Sequence, residues 1–265
     1  MNSAQYAILS SEIQPTALIT MMHTLWIRCR LIAPGMLLCL LLISACQPGG
    51  PPELPPVEII ANSTARMKAL SSFHFVIDRS GTPAYLDTEE TLSFARAEGD
   101  FVAPDKARAT IRIIAPGIVA EIRIVAIGES YWETNLLSGE WQALPAGMGF
   151  NPAILFDPQI GLQPVLESDL RDLALRGVEE LEELPGVPLY ALTGQLDGEG
   201  IYQMSYAMIG PETLDVQLWV APETFELYRV LLTEPTADPA SPTVWQLDFW
   251  DFDVPVEIAP PPVTE

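Results

Sequence analysis

The sequence predicts an α+β fold: a curved, mostly antiparallel half-barrel of about ten strands with short helices covering its concave face. Three observations predict it. Between Phe73 and Phe252 apolar and polar residues alternate with period two in run after run, most cleanly over Ala109–Ile113 and Ala120–Ile124. Short turns join most of the runs, so neighbours pair as antiparallel hairpins, and a sheet that wide must curl. Helical patterning is confined to 57–70, the Pro- and Gly-rich stretch 145–170, and 201–208.

Ahead of these elements stands an export signal, residues 1–45. Arg28 and Arg30 supply its charge, and an apolar run from Leu31 to Ile43 follows. That run has the length of a secretory h-region and falls short of the roughly 20 residues that span a bilayer. Met1–Thr20 carry one acid and no base. They suit an n-region poorly, and the hypothesis that fits is an upstream mis-start with translation from Met21 or Met22. Ile43-Ser44-Ala45-Cys46 resembles the lipobox of bacterial lipoproteins, in which diacylglycerol alkylates the thiol and the chain is cut before the cysteine. Cys46 is therefore the expected lipidation site and the first residue of the mature chain. The alternatives are an uncleaved helical anchor and a plain signal peptide with a chance cysteine.

Residues 46–56 make a Pro-rich tether, and 259–265 make a Pro-rich tail expected to be disordered. Between them no second linker or repeat interrupts a single domain over 57–258. Its opening helix, 57–70, puts Ile60, Thr64, Met67 and Leu70 on one face. Phe73, Phe75 and Ile77 alternate in the next strand. A further strand over 91–98 is expected to turn at Gly99-Asp100. Two hairpins follow: 109–113 with 120–124, and 130–134 with 140–143. After the helical stretch come strands 173–181 and 189–196, a short helix with Ile201, Met204 and Met208, and a hairpin of 214–220 with 228–232. The last strand, 244–252, loses its alternation at Phe249-Trp250, which predicts a bulge.

The full chain has 13 basic and 35 acidic residues. Taking away Arg28, Arg30 and Glu12 leaves 11 and 34, a net charge of −23. Such a surface repels phosphate backbones, so nucleic acid is excluded as a partner. It repels anionic headgroups too, and a covalent anchor has to hold the protein at a membrane. Cys29 and Cys39 leave with the signal, so no intrachain disulfide forms.

The residues offer no catalytic set. His74 is the mature chain's single histidine, expected at a surface or edge, and Gly-x-Ser-x-Gly and Gly-rich phosphate loops are absent. Asp248, Asp251 and Asp253 are expected to be solvated carboxylates. No enzyme, metal site or cofactor is predicted.

Several short motifs occur in an order that resembles the LppX/LprG family of bacterial lipoproteins. They include Ala69-Leu70-Ser71-Ser72-Phe73-His74-Phe75, Gly128-Glu129-Ser130-Tyr131-Trp132, Phe156-Asp157-Pro158, and Leu218-Trp219-Val220-Ala221-Pro222-Glu223-Thr224. The resemblance implies a half-barrel related to the LolA and LolB carriers. It implies an acylated lipid or glycolipid as ligand, carried outward from the cytoplasmic membrane, with a membrane transporter as a candidate partner. The implied location is the extracytoplasmic face of a bacterial cell membrane, through diacylglyceryl-Cys46. Wall candidates for a lipid cup are Ile111, Ile113, Ile122, Ile124, Val216 and Leu218 on the sheet. Leu155, Phe156, Met204 and Met208 are the candidates from the covering helices. Ordinary core packing explains each equally well. The competing reading is a non-catalytic envelope sensor or scaffold that binds a protein, marked by an exposed apolar patch outside the cup.

Overall fold

The computed structural model describes residues 51–145, 151–235 and 241–263; Cys46 and the expected signal lie outside them. Residues from Pro51 onward form a compact unit of their own. Helix α1, Pro56–Ala69, begins on a proline whose missing N–H costs a first-turn residue nothing. Glu58 sits in its first turn and Arg66 and Lys68 in its last, as the helix dipole favours. Ile60, Thr64 and Met67 are buried as predicted, joined by Ile59 and Ser63.

Seven strands follow before the next helices, and an eighth directly after them. They are β1 Ser72–Ser80, β2 Ala84–Tyr85, β3 Ser93–Val102, β4 Lys106–Ala115, β5 Ile118–Ile127, β6 Ser130–Thr134, β7 Trp141–Leu144 and β8 Leu170–Glu179. Between β7 and β8 lie a 3-10 helix, Pro152–Phe156, and α2, Leu162–Ser168. Then come β9 Leu189–Leu196, α3 Gly198–Met204, β10 Leu214–Val220, β11 Leu227–Glu234 and β12 Thr243–Trp250. All pair antiparallel in one unclosed sheet ordered β7-β6-β5-β4-β3-β1-β12-β11-β10-β9-β8, with β2 beside β3. The α+β half-barrel expected from the sequence is the fold observed. β2, at two residues, is too short to show a period.

Two local expectations are corrected. Gly99-Asp100 is no turn: β3 runs through it, with Gly99 opposite both Phe75 and Ala109. A Cβ on Gly99 would lie 2.0 Å from the Arg108 carbonyl oxygen. The glycine is there to let β4 close over β3 as the sheet curls. Nor does β12 bulge, since its register with β1 is regular to His74↔Trp250 and its burial alternates throughout. The aromatic pair misled because Trp250 caps the outer face, its ring 4.5 Å from His74.

The first and last strands thus form the middle of the sheet. The main core fills its concave side, where Phe73, Phe75, Phe249, Leu214, Leu218 and Val230 are almost wholly buried beneath the helices. A smaller cluster of Leu181, Leu189, Ala191, Trp219 and Ala221 lies apart from it. The end of the tether lies against the domain, with the Tyr190 hydroxyl donating to the Pro52 carbonyl at 2.5 Å and Leu54 packed on the core.

Candidate functional site

Period two sends Phe73, Phe75 and Ile77 of β1 to the concave side, and regular pairing aligns them with Phe101, Ala97, Phe249 and Leu247. Pro152 starts the 3-10 helix and Asn151 caps it by accepting from the Ala153 N–H at 2.9 Å. This drops Phe156 onto that floor. Its ring meets Phe73 at 4.8 Å edge-on, Phe75 at 5.0 Å, Phe101 at 5.3 Å and Phe249 at 6.1 Å. The five rings close one side of the concave space.

Toward the Ser80–Thr243 end of the strands the packing opens into a small apolar cavity of about 50 Å³. Ile77, Phe94, Ala97, Leu232, Trp245 and Leu247 line it from the sheet. Leu155, Phe156, Leu162, Ile201, Met204, Met208 and Ile209 line it from the helical layer. Phe94 stacks on Trp245 at 5.4 Å. Ser205 and Ile209, just past α3, are tied by a hydrogen bond from the Ile209 N–H to Ser205 Oγ at 3.1 Å.

The four wall candidates named on the helices, Leu155, Phe156, Met204 and Met208, all border this cavity. The six named on the sheet do not. Ile111, Ile113, Ile124, Val216 and Leu218 are buried in the surrounding core, and Ile122 packs against it half-buried. The sheet lining comes instead from β1, β3, β11 and β12, strands far apart in sequence. The clean hairpin alternation of 109–124 and 214–220 marks the two wings of the sheet, not its middle.

Behind the lining residues Phe94 and Trp245 stand polar groups that the sequence did not single out. Arg79 lies opposite Trp245 across the β1–β12 ladder, and its Nε donates to the Phe94 carbonyl at 3.2 Å. Burial pushes the guanidinium pKa down from its ordinary value, while Glu234 and Tyr85 pull it upward. Glu234 accepts from Trp245 Nε1 at 2.7 Å and from the Gly210 N–H at 3.2 Å, joining the segment after α3 to the sheet.

The outer face carries a different cleft, about 470 Å³ and lined by His74, Arg96, Asp100, Arg108, Glu121 and Arg123 among others. Most of its charges are already paired: Arg96 with Asp78, Arg108 Nε with Asp100 at 2.6 Å, and Arg112 with Glu121 at 3.2 Å. His74 belongs to this network, with Nδ1 2.8 Å from Asp100, and sits on a central strand, not at an edge. Asp248 and Asp253 are likewise paired instead of merely solvated, with Arg229 at 2.5 Å and Arg66 at 2.8 Å. Among the described residues no group of three or more His, Cys, Asp or Glu could hold a metal ion. Among them also, no helix is long and apolar enough to cross a membrane.

A family model described as LppX_LprAFG lipoprotein matches residues 55–258. The structure of LprF from Mycobacterium bovis aligns over 80% of this chain and 99% of its own, at 17% identity and a TM-score of 0.61. Lipoprotein LppX from Mycobacterium tuberculosis aligns over 77% and 98%, at 17% identity and a TM-score of 0.54. A LolA superfamily protein from Nitrosomonas europaea covers 77% and 96% at a TM-score of 0.27, too low to argue from. No curated protein matches the sequence.

Proposed function

We propose that this chain, which belongs to the LppX_LprAFG lipoprotein family, is a non-catalytic carrier that takes acylated lipid or glycolipid from the cytoplasmic membrane into its concave cavity. The observation that carries the reading is a space lined by apolar side chains alone, between a sheet and a layer of short helices. As it stands the space is far below the roughly 300 Å³ of an ordinary ligand pocket. An acyl chain therefore enters by lifting the layer that carries Leu155, Met204 and Met208. The unbranched thioether side chains suit such a wall, because they repack around ligands of different shape. Each methylene transferred from water to the cavity contributes about 0.8 kcal/mol.

In this reading Cys46 carries the diacylglyceryl anchor and residues 46–56 tether the domain, 57–258, to the extracytoplasmic face of the cell membrane. Native mass spectrometry of the unit from Pro51 onward tests the carrier directly. Copurifying acyl lipid is the expected result, and a ligand-free protein that takes up none on exposure to membrane extract refutes it. For the anchor, Cys46→Ala in the full chain is expected to release the protein from membranes without unfolding it.

One observation favours the sensor or scaffold reading. At the β4–β5 turn Ile114, Ile118 and Val119 are 47%, 57% and 64% exposed, an apolar tip outside the cavity. Capture of a defined protein partner lost on Val119→Asp, with no lipid bound, would establish that alternative.

A further inference from the structure

Within the carrier reading, on which this inference rests, we infer that Arg79 is the head-group receptor, so that the cargo is an acyl chain ending in an oxyanion, a carboxylate or a phosphate. The tail lies between the sheet and the helical layer, and the oxyanion sits on the guanidinium at the cavity edge.

Placement comes first. Arg79 pairs with Trp245 and so points to the same face, and it bonds the carbonyl of Phe94; both partners line the cavity. Availability comes second. Its Nη1 is buried without a hydrogen-bond partner among the described residues, one of two such side-chain atoms with Gln163 Oε1. A buried N–H left unbonded costs folding free energy that an incoming acceptor returns.

No described carboxylate bonds to it directly. Glu234 acts on Arg79 through its field, but its two oxygens are engaged by Trp245 Nε1 and the Gly210 N–H. The contrast with the other bases is sharp. Eight of the eleven basic residues after Pro51 have a carboxylate within 4.0 Å: Arg66, Lys68, Arg96, Arg108, Arg112, Arg171, Arg176 and Arg229. Carboxylates are plentiful in this chain, so a half-buried guanidinium with none within 4.0 Å among the described residues, bonded to a residue that lines an apolar cavity, is fitted to an acceptor from outside. Guanidinium geometry suits carboxylate and phosphate alike.

Calorimetric titration of the unit from Pro51 to Glu265 with hexadecyl phosphate, palmitate and hexadecanol tests this, since the three share a chain and differ in head. Both oxyanions are expected to bind about tenfold tighter than the alcohol, the worth of one charge-assisted hydrogen bond. Arg79→Gln is expected to abolish that preference, so that both oxyanions bind no tighter than hexadecanol does to the same variant. Arg79→Lys is expected to keep part of it. Glu234→Gln, which removes the competing charge, is expected to raise oxyanion affinity, and it serves as the independent variant should Arg79→Gln not fold. Equal binding of all three ligands by the native protein, or a preference that survives Arg79→Gln, overturns the inference alone. If none of the three binds, the carrier reading fails and takes the inference with it.

Discussion

On the β3–β6 side of the sheet the outer face is a chequerboard of charge, with Arg112 opposite Glu121 and Arg108 beside Asp100. On the β8–β11 side, Leu181 and the neighbouring Leu184 and Val187 fold over Trp219, Ala191 and Leu231 to make a second apolar cluster. The charged patch is therefore buried on one face only, while β9 and β10 are buried on both at their Leu189 and Val220 ends. Their sequences carry the difference: β4 keeps its alternation from end to end, whereas β9 opens with four buried residues and β10 closes with three. Wrapping one wing in two apolar layers makes it the stiffer part of the cup. The singly buried wing, with its bare tip, is left as the adaptable part.

The largest expected effect tests that contrast head-on. Trp219→Ala should cost about 3–5 kcal/mol in urea unfolding, as deletion of a buried aromatic does. Arg112→Ala, an outward position on the other wing, should stay within about 0.5 kcal/mol because its pair with Glu121 is exposed. Similar losses at the two sites would erase the distinction. An intermediate effect is expected where each wing curls. Gly99→Ala drives a Cβ to 2.0 Å from a β4 carbonyl, whereas at Gly194 the nearest backbone atom is 2.9 Å away. The first should destabilise by about 3 kcal/mol and the second by about 1. The reverse order would show that the sheet bends elsewhere.

The smallest effect is a pH dependence of the charged wing. Burial alone would raise the Asp100 carboxyl, but hydrogen bonds from His74 and Arg108, with their charges, outweigh it and hold the pKa below its ordinary value of 3.8. A depressed carboxylate contributes stability that is present above the unfolded value and lost as pH falls through the folded one. Asp100→Asn should therefore flatten the acid limb of the stability curve below about pH 4. An unchanged limb would mean that the network contributes nothing.

Hairpins were legible in the sequence because a sheet with one wet face writes its pattern in neighbouring residues. Apolar helix positions such as Met67, Phe156 and Met204 were legible for the same reason. What pairs β1 with β12 is more than 160 residues away along the chain, and no local period records it. Hence the cavity walls Ile77, Phe94 and Trp245 went unselected while Ile111 and Leu218, on cleaner strands, stood out. Trp219 and Leu231 fall out of phase with the main-core positions of their strands and are covered by Leu181, Leu184 and Val187, which follow a different strand, so no local pattern shows their burial. Arg79 carried no signal at all: a base near a strand end is ordinary until its neighbours are known.

The hydrogen bond from Tyr190 to the Pro52 carbonyl fixes where the chain enters the domain. Tyr190 lies level with Val220 and Leu227, at the end of the strands away from Glu234 and Thr243. The chain therefore enters the domain at the pole opposite its cavity, and Arg79, Trp245 and Met208 lie the length of the strands away from that entry.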